Sequence, residues 1–249
     1  MLVTEVLSRL RQMQNPKTVE LWKKQGVTPR AAHGVSAGDL QKLVAEVGID
    51  RLIAQQLWAS GIHDARVLAS LVDDPFRVTP KQMERWVRDF DSWALCDACC
   101  FNLFHKTPFA YAKAVAWSAR KEEFVKRAAF SLIAALAVND QKASDKEFLR
   151  FLPIIQREAA DERPFVRKSV AWALREIGKR NKALRKLVLD AVKELEATDS
   201  KAAQLISADV LKELNSPAKP AKTAKKAASR PAATKAPARK AAPKVAARA

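Results

Sequence analysis

An all-α chain, built as a solenoid of stacked helix pairs, is predicted by three observations. Glycine is scarce, at 6 of 249 residues, while apolar residues recur at spacings of three and four along nearly the whole chain. No stretch alternates in the manner of a strand. Finally, Phe124-Val-Lys-Arg-Ala128 is echoed by Phe165-Val-Arg-Lys-Ser169 after 41 residues, and Ala173-Leu-Arg-Glu-Ile177 by Val210-Leu-Lys-Glu-Leu214 after 37. A helix-pair period near 40 suits a HEAT-like, armadillo-type solenoid whose hairpins share a core and expose a concave, here basic, face. The alternative is an irregular bundle.

The elements follow in order. Helices are expected over 2–14 and 18–25, split at Asn15-Pro16, and over 37–47, with Ser36 as N-cap, Asp39 near the capping-box position and Gly48 as the stop. Two more are expected near 50–60 and 62–73, separated by Gly61. Thr79-Pro80 and Thr107-Pro108 each set an N-cap before a proline at the first helical position, opening helices at 80–89 and 108–119. Between them lies a helix over 92–104. A long helix near 122–138 precedes Ser144-Asp-Lys-Glu147, a capping box expected to start a helix running to about 160. Pro164 opens 164–179, which Gly178 is expected to end; Asn181 caps 182–196, and Asp199 or Ser200 starts the last helix, to Leu214.

The net charge is +18. A polyanion, nucleic acid first, is therefore the expected partner. Residues 217–249 hold ten Lys or Arg and no acid, which leaves +8 for residues 1–216. The organisation expected is one helical domain over 1–215 and a disordered, basic Lys/Ala/Pro-rich tail over 216–249 that adds non-specific attraction to phosphates. Three cysteines, no secretory leader and no long apolar run point to a reducing cytoplasmic, nucleoid-associated setting without membrane contact.

The stretch Trp86–Phe104 sets a carboxylate among aromatics in this basic chain. Trp93 and Asp97 are four apart and share a helix face, and Leu95, Cys99, Phe101 and Phe104 make much of the rest apolar. A carboxylate beside an indole at the mouth of a cationic surface can stabilise a positive charge that appears during a reaction. A second indole, Trp172, lies among Arg167, Lys168, Arg175, Lys179 and Arg180. The repeat alignment sets Lys126 and Arg127 opposite Arg167 and Lys168, giving a basic strip suited to a duplex backbone. The bland readings are a buried indole with a satisfied acid, and a solvated charged face. Cys96, Cys99 and Cys100 share one helix and lack a second ligand pair, so they read as core residues rather than zinc ligands, and neither metal nor cofactor is expected. No phosphate-cradling glycine loop, nucleophile elbow or dinucleotide fingerprint is present in the sequence.

With these residues laid out, the chain resembles the DNA alkylation repair glycosylases of the AlkD type over about residues 1–215. The carriers are His33-Gly-Val35, Leu57-Trp58 followed by Gly61-Ile-His-Asp-Ala-Arg66, Ser92-Trp-Ala-Leu-Cys-Asp97, Phe124-Val-Lys-Arg-Ala-Ala129 and Ala171-Trp-Ala-Leu-Arg-Glu176. The resemblance implies that Trp93, Asp97, Trp172 and Arg127, with Lys126 beside it, line the cleft that meets the damaged nucleotide. It implies hydrolysis of the N-glycosidic bond of cationic N3- or N7-alkylated purines in double-stranded DNA, without base flipping; a monomer is the simplest assembly to expect. One departure is that Ala94 stands where the family often has Asp. A non-enzymatic HEAT-repeat nucleic-acid-binding protein is the alternative, and a scaffold for an acidic protein partner a third reading.

Overall fold

The structure is a computed structural model that describes residues 1–216. The expected disordered tail falls outside the described residues, save for Ser216. Residues Met1–Asn215 pack as one unit of helices, with no strand among the described residues. The helices are α1 (Val3–Gln12), α2 (Pro16–Lys24), α3 (Ala37–Val47), α4 (Arg51–Ala59), α5 (His63–Val72), α6 (Pro80–Arg88) and α7 (Trp93–Asn102). After a 3₁₀ turn at Phe104–Lys106 come α8 (Ala110–Ser118), α9 (Glu123–Asn139), α10 (Asp145–Leu149), α11 (Leu152–Glu158), α12 (Pro164–Arg180), α13 (Lys182–Glu196) and α14 (Lys201–Leu214). None is long and apolar enough to cross a membrane.

The repeat echoes become neighbours in space. Helices α5, α7, α9, α12 and α14 pack each on the next, and α4, α8 and α13 cover α5, α9 and α12 from a second layer. Phe124 and Phe165, equivalent across the 41-residue offset, lie ring to ring at 5.7 Å. At the centre, α9 is buried almost all round from Val125 to Ala137. Its alanines 128, 129, 134, 135 and 137 let flanking helices come close.

Caps predicted at Ser36, Thr79, Asn181 and Ser200 form, each side chain accepting the backbone N–H three residues on. Elsewhere the boundaries differ for identifiable reasons. Pro16 is inside α2 rather than before it, because Asn15 caps the Lys17 and Thr18 amides and a proline at the first helical position has no amide to lose. Helix α7 ends at Asn102, and the Thr107 hydroxyl donates back to the Phe104 carbonyl (2.8 Å) instead of capping, so α8 begins only at Ala110. The expected helix from 144 to 160 is two, since Pro153 has no N–H for the Leu149 carbonyl and breaks the run; Ser144 makes no side-chain cap. Gly178 does not terminate α12 but lies within it, where a Cβ would stand 2.8 Å from Leu214 Cδ1. It is a point of close approach between α12 and α14.

Two of the resemblance motifs are structural knots. The buried Asp64 carboxylate accepts the amides of His33 (2.6 Å), Gly34 (3.4 Å) and Val35 (2.7 Å), pinning the α2–α3 connection to the start of α5. Gly34 is required there, with φ +76° and a virtual Cβ 2.4 Å from the Asn15 carbonyl. Trp58 stacks on Trp86 at 3.8 Å and donates its indole N–H to Asp89 (2.7 Å), with the Arg66 guanidinium 5.3 Å from its ring centroid.

His63 is buried against Trp22 and His105 is half-buried. Burial lowers both imidazole pKa values, at His63 against the pull of Asp64 and Asp91. The unfolded chain therefore takes up these protons first as pH falls, and stability is lost below about pH 6.5. Thermal melts at about pH 7.5 and 5.5 check this: the melting temperature is expected to drop at the lower value, by ~2–4 °C for each kcal/mol of linkage, and less in His63→Phe. An unchanged melting temperature contradicts it.

Candidate nucleic-acid interface

Ser92 caps α7 by accepting the Leu95 amide (3.4 Å), which fixes Trp93 at the first helical position. The Trp93 indole N–H donates to the Gln25 carbonyl just past α2 (3.1 Å). Trp93, Asp97 and Phe101 then follow at successive i+4 positions down one face of α7. Each meets a different partner.

Asp97 faces α9. Arg127 grips it in a fork, Nε to Oδ1 at 3.0 Å and Nη2 to Oδ2 at 2.7 Å, and the Ser131 hydroxyl donates to Oδ1 at 2.7 Å. The third guanidinium nitrogen donates to the Phe165 carbonyl on α12 (2.6 Å). The Asp97 side chain keeps 18% exposure against 6% for Arg127. Burial works to lower the Arg127 pKa, and the adjoining carboxylate more than offsets it, so the guanidinium is held more firmly protonated than usual. The Arg127 guanidinium also lies 6.0 Å over the Trp93 ring, a cation–π distance. Phe101 stacks on Trp172 of α12 in parallel, 4.9 Å between centroids. Trp93, Asp97 and Arg127 thus form one cluster across α7 and α9, and Trp172 of α12 stands against Phe101, one turn on from Asp97.

Arg127 and Trp172 open onto a hollow of about 530 Å³ between α12 and α14. Arg167, Lys168 and Arg175 supply further positive charge, Leu205 and Ile206 an aliphatic wall, and Asp209 one acid. Asp97 is behind the Arg127 guanidinium rather than on the wall. Of the basic strip expected from sequence, Arg127, Arg167, Lys168 and Arg175 meet here. The others are engaged elsewhere. Lys126 bonds Glu158 (2.5 Å) and Asp161 (3.3 Å), the latter a carboxyl held down to about 2 chiefly by Arg163. Lys179 bridges Glu176 and Glu213. Arg180 donates to the carbonyls of Ala137, Asp140 and Ala143 and sits 4.0 Å over Phe148, closing the C-terminal end of α9. Arg175 itself is tied to Asp209 and, at 2.8 Å, to Glu213.

Sequence reasoning missed Ser131, the role of Phe101, and α14 as a wall. The first two were in reach, since Ser131 is one turn beyond Arg127 and Phe101 one turn beyond Asp97. The cysteines are packing residues: Cys96 and Cys100 donate weakly to the Phe124 and Ala128 carbonyls (3.7 and 3.6 Å), and burial pushes the Cys99 and Cys100 thiols well above their ordinary range.

Among curated proteins none matches the chain. A solved structure described as "a new family of proteins related to the HEAT-like repeat DNA glycosylases with affinity for branched DNA structures" is similar, with a TM-score of 0.72 and 18% identity over 86% of this chain and 95% of that one. At that identity the likeness speaks for the HEAT-like repeat fold, which the stacked helix pairs share. The model of the family described as "DNA alkylation repair enzyme" matches residues 6–228, and the chain belongs to the DNA alkylation repair enzyme family.

Proposed function

We propose that the protein is a DNA repair glycosylase that hydrolyses the N-glycosidic bond of cationic N3- or N7-alkylated purines in duplex DNA, from the backbone side and without flipping the base. The observation that carries this reading is the Trp93–Arg127–Asp97 cluster, whose Arg127 shares the wall of a basic hollow with Trp172. Family membership supports it. Alkylation makes the purine cationic and a good leaving group, so the barrier that remains is the oxocarbenium character growing on the deoxyribose. Asp97 keeps acceptor capacity for stabilising that charge, because Oδ1 takes two donors, Oδ2 takes one, and a carboxylate offers about four lone-pair sites. Oδ2 is therefore the oxygen to face the sugar or orient the attacking water. Arg127 has three of its five N–H groups engaged, and the other two suit a phosphate entering the hollow beside Arg167, Lys168 and Arg175. As the guanidinium turns to the phosphate, it neutralises the carboxylate less. Trp93 and Trp172 flank the sugar with π-faces that favour a cation.

The reading extends to residues 1–215 acting as one domain, as a monomer and in a cytoplasmic setting, with Lys126, Lys179 and Arg180 holding the helices together rather than meeting DNA. Residues 217–249 strengthen non-specific attraction. A second reading, a non-enzymatic binder of DNA, is favoured by one observation, the Arg127 fork that partly neutralises Asp97; the similar structure belongs to a family with affinity for branched DNA. Incubation with methylated duplex DNA separates them. Release of 7-methylguanine or 3-methyladenine is expected, and removal of residues 217–249 is expected to weaken DNA affinity while leaving release at saturation intact. Binding to duplex or branched DNA with no base released supports the second reading.

A further inference from the structure

Three of the buried helical serines satisfy themselves on their own helix, while Ser207 finds no partner among the described residues. The hydroxyls of Ser70, Ser118 and Ser169 each donate to the carbonyl three residues back, at 2.6, 2.8 and 2.7 Å. Ser131 is as deeply buried, yet its hydroxyl crosses to another helix and ends on Asp97 Oδ1. The carbonyl it would use on its own helix, that of Ala128, takes the Cys100 thiol instead. The bond to Asp97, at 2.7 Å, differs in kind from the Arg127 fork. A guanidinium orients the carboxylate and also cancels its charge, whereas a neutral hydroxyl orients it and leaves the charge in place.

From this contrast we infer that Ser131 is a positioning residue for Asp97, holding Oδ1 so that Oδ2 keeps its direction toward the reacting sugar when Arg127 engages a phosphate. This rests on the glycosylase reading above. Ser131 occupies the same helix as Arg127, one turn on, so the two holds on the carboxylate come from one rigid element. When the fork loosens, the hydroxyl is the remaining tether. Without it Asp97 is free to rotate about its side-chain torsions, and the fraction of bound complexes with the charge correctly aimed falls.

The experiment is single-turnover release of 7-methylguanine from duplex DNA by the full chain, by Ser131→Ala and by Ser131→Cys. Cysteine fills the same space with a weak donor, so it separates packing from hydrogen bonding. The rate at saturating enzyme is expected to fall roughly 5–10-fold in both variants, with the half-saturating concentration within two-fold of wild type and melting temperatures close to it. Wild-type rates in Ser131→Ala, or a loss in Ala that Cys restores fully, overturn the inference, since either makes the residue a filler. A wild-type protein that releases no base overturns the glycosylase reading and this inference with it; an active wild type with an unchanged Ser131→Ala overturns this inference alone.

Discussion

Asp97→Asn is expected to cut excision of 7-methylguanine from duplex DNA by up to about 10³-fold while duplex affinity stays within a few-fold. A full negative charge ~4 Å from a developing oxocarbenium contributes at most about 4 kcal/mol at an effective dielectric near 20, which is three decades in rate. Asparagine preserves the shape, and its carbonyl can still accept from Ser131. It removes the charge and turns one acceptor into a donor. The amide end meets the Arg127 fork with N–H against N–H, so that guanidinium is released toward the hollow, and the chain gains one unit of net positive charge. Affinity for phosphate is thus expected to hold or rise slightly as turnover collapses. Measuring both quantities on one preparation checks the separation. A fall in affinity that parallels the fall in release makes Asp97 a structural anchor for Arg127 instead.

The second large effect is on stability. Asp64→Ala is expected to destabilise the fold by about 3–5 kcal/mol, lowering the melting temperature by on the order of 10 °C. The carboxylate satisfies three consecutive backbone amides, of which those of His33 and Val35 are short. Alanine leaves them without a partner beside the buried Val35 and His63, where each orphaned donor costs ~1–3 kcal/mol. The loop has little room to rearrange there, since a Cβ at Gly34 would lie 2.4 Å from the Asn15 carbonyl oxygen. Asp64→Asn, which keeps one accepting oxygen, should recover part of the loss. A melting temperature within about 2 °C of wild type for Asp64→Ala contradicts the account of this knot.

Much of the fold was legible because its signals are local. Alternation at three and four, side-chain caps at Ser36, Thr79, Asn181 and Ser200, and the Phe124/Phe165 echo all depend on residues close in sequence or on a repeat of them. The failures have two causes, a competing local bond and tertiary packing. Thr107 turns its hydroxyl back to Phe104 rather than forward as a cap. Gly178 reads as a stop until α14 is seen pressing on it. Pro153 is likewise local, a breaker masked by the capping-box pattern at Ser144.

The site divides in the same way. The i+4 pair Trp93/Asp97 and the neighbourhood of Trp172 were visible, since spacing fixes which residues share a helix face. Which cations reach the hollow was not. Lys126 and Arg127 are adjacent, yet one is held by Glu158 and the other by Asp97, a choice made by acids about thirty residues away on either side. Likewise Arg175 and Lys179 meet acids of α14, a helix whose polar face no short-range pattern assigns to them.

The central claim is that one carboxylate acts on a sugar made positive by a leaving group already cationic. Its most direct test compares single-turnover release of 7-methylguanine with that of a neutral base, hypoxanthine or uracil, from otherwise identical duplexes. Release of the cationic base alone, lost in Asp97→Asn, is the predicted result. Equal acceleration of neutral and cationic bases, or release that survives the loss of the Asp97 charge, would contradict it.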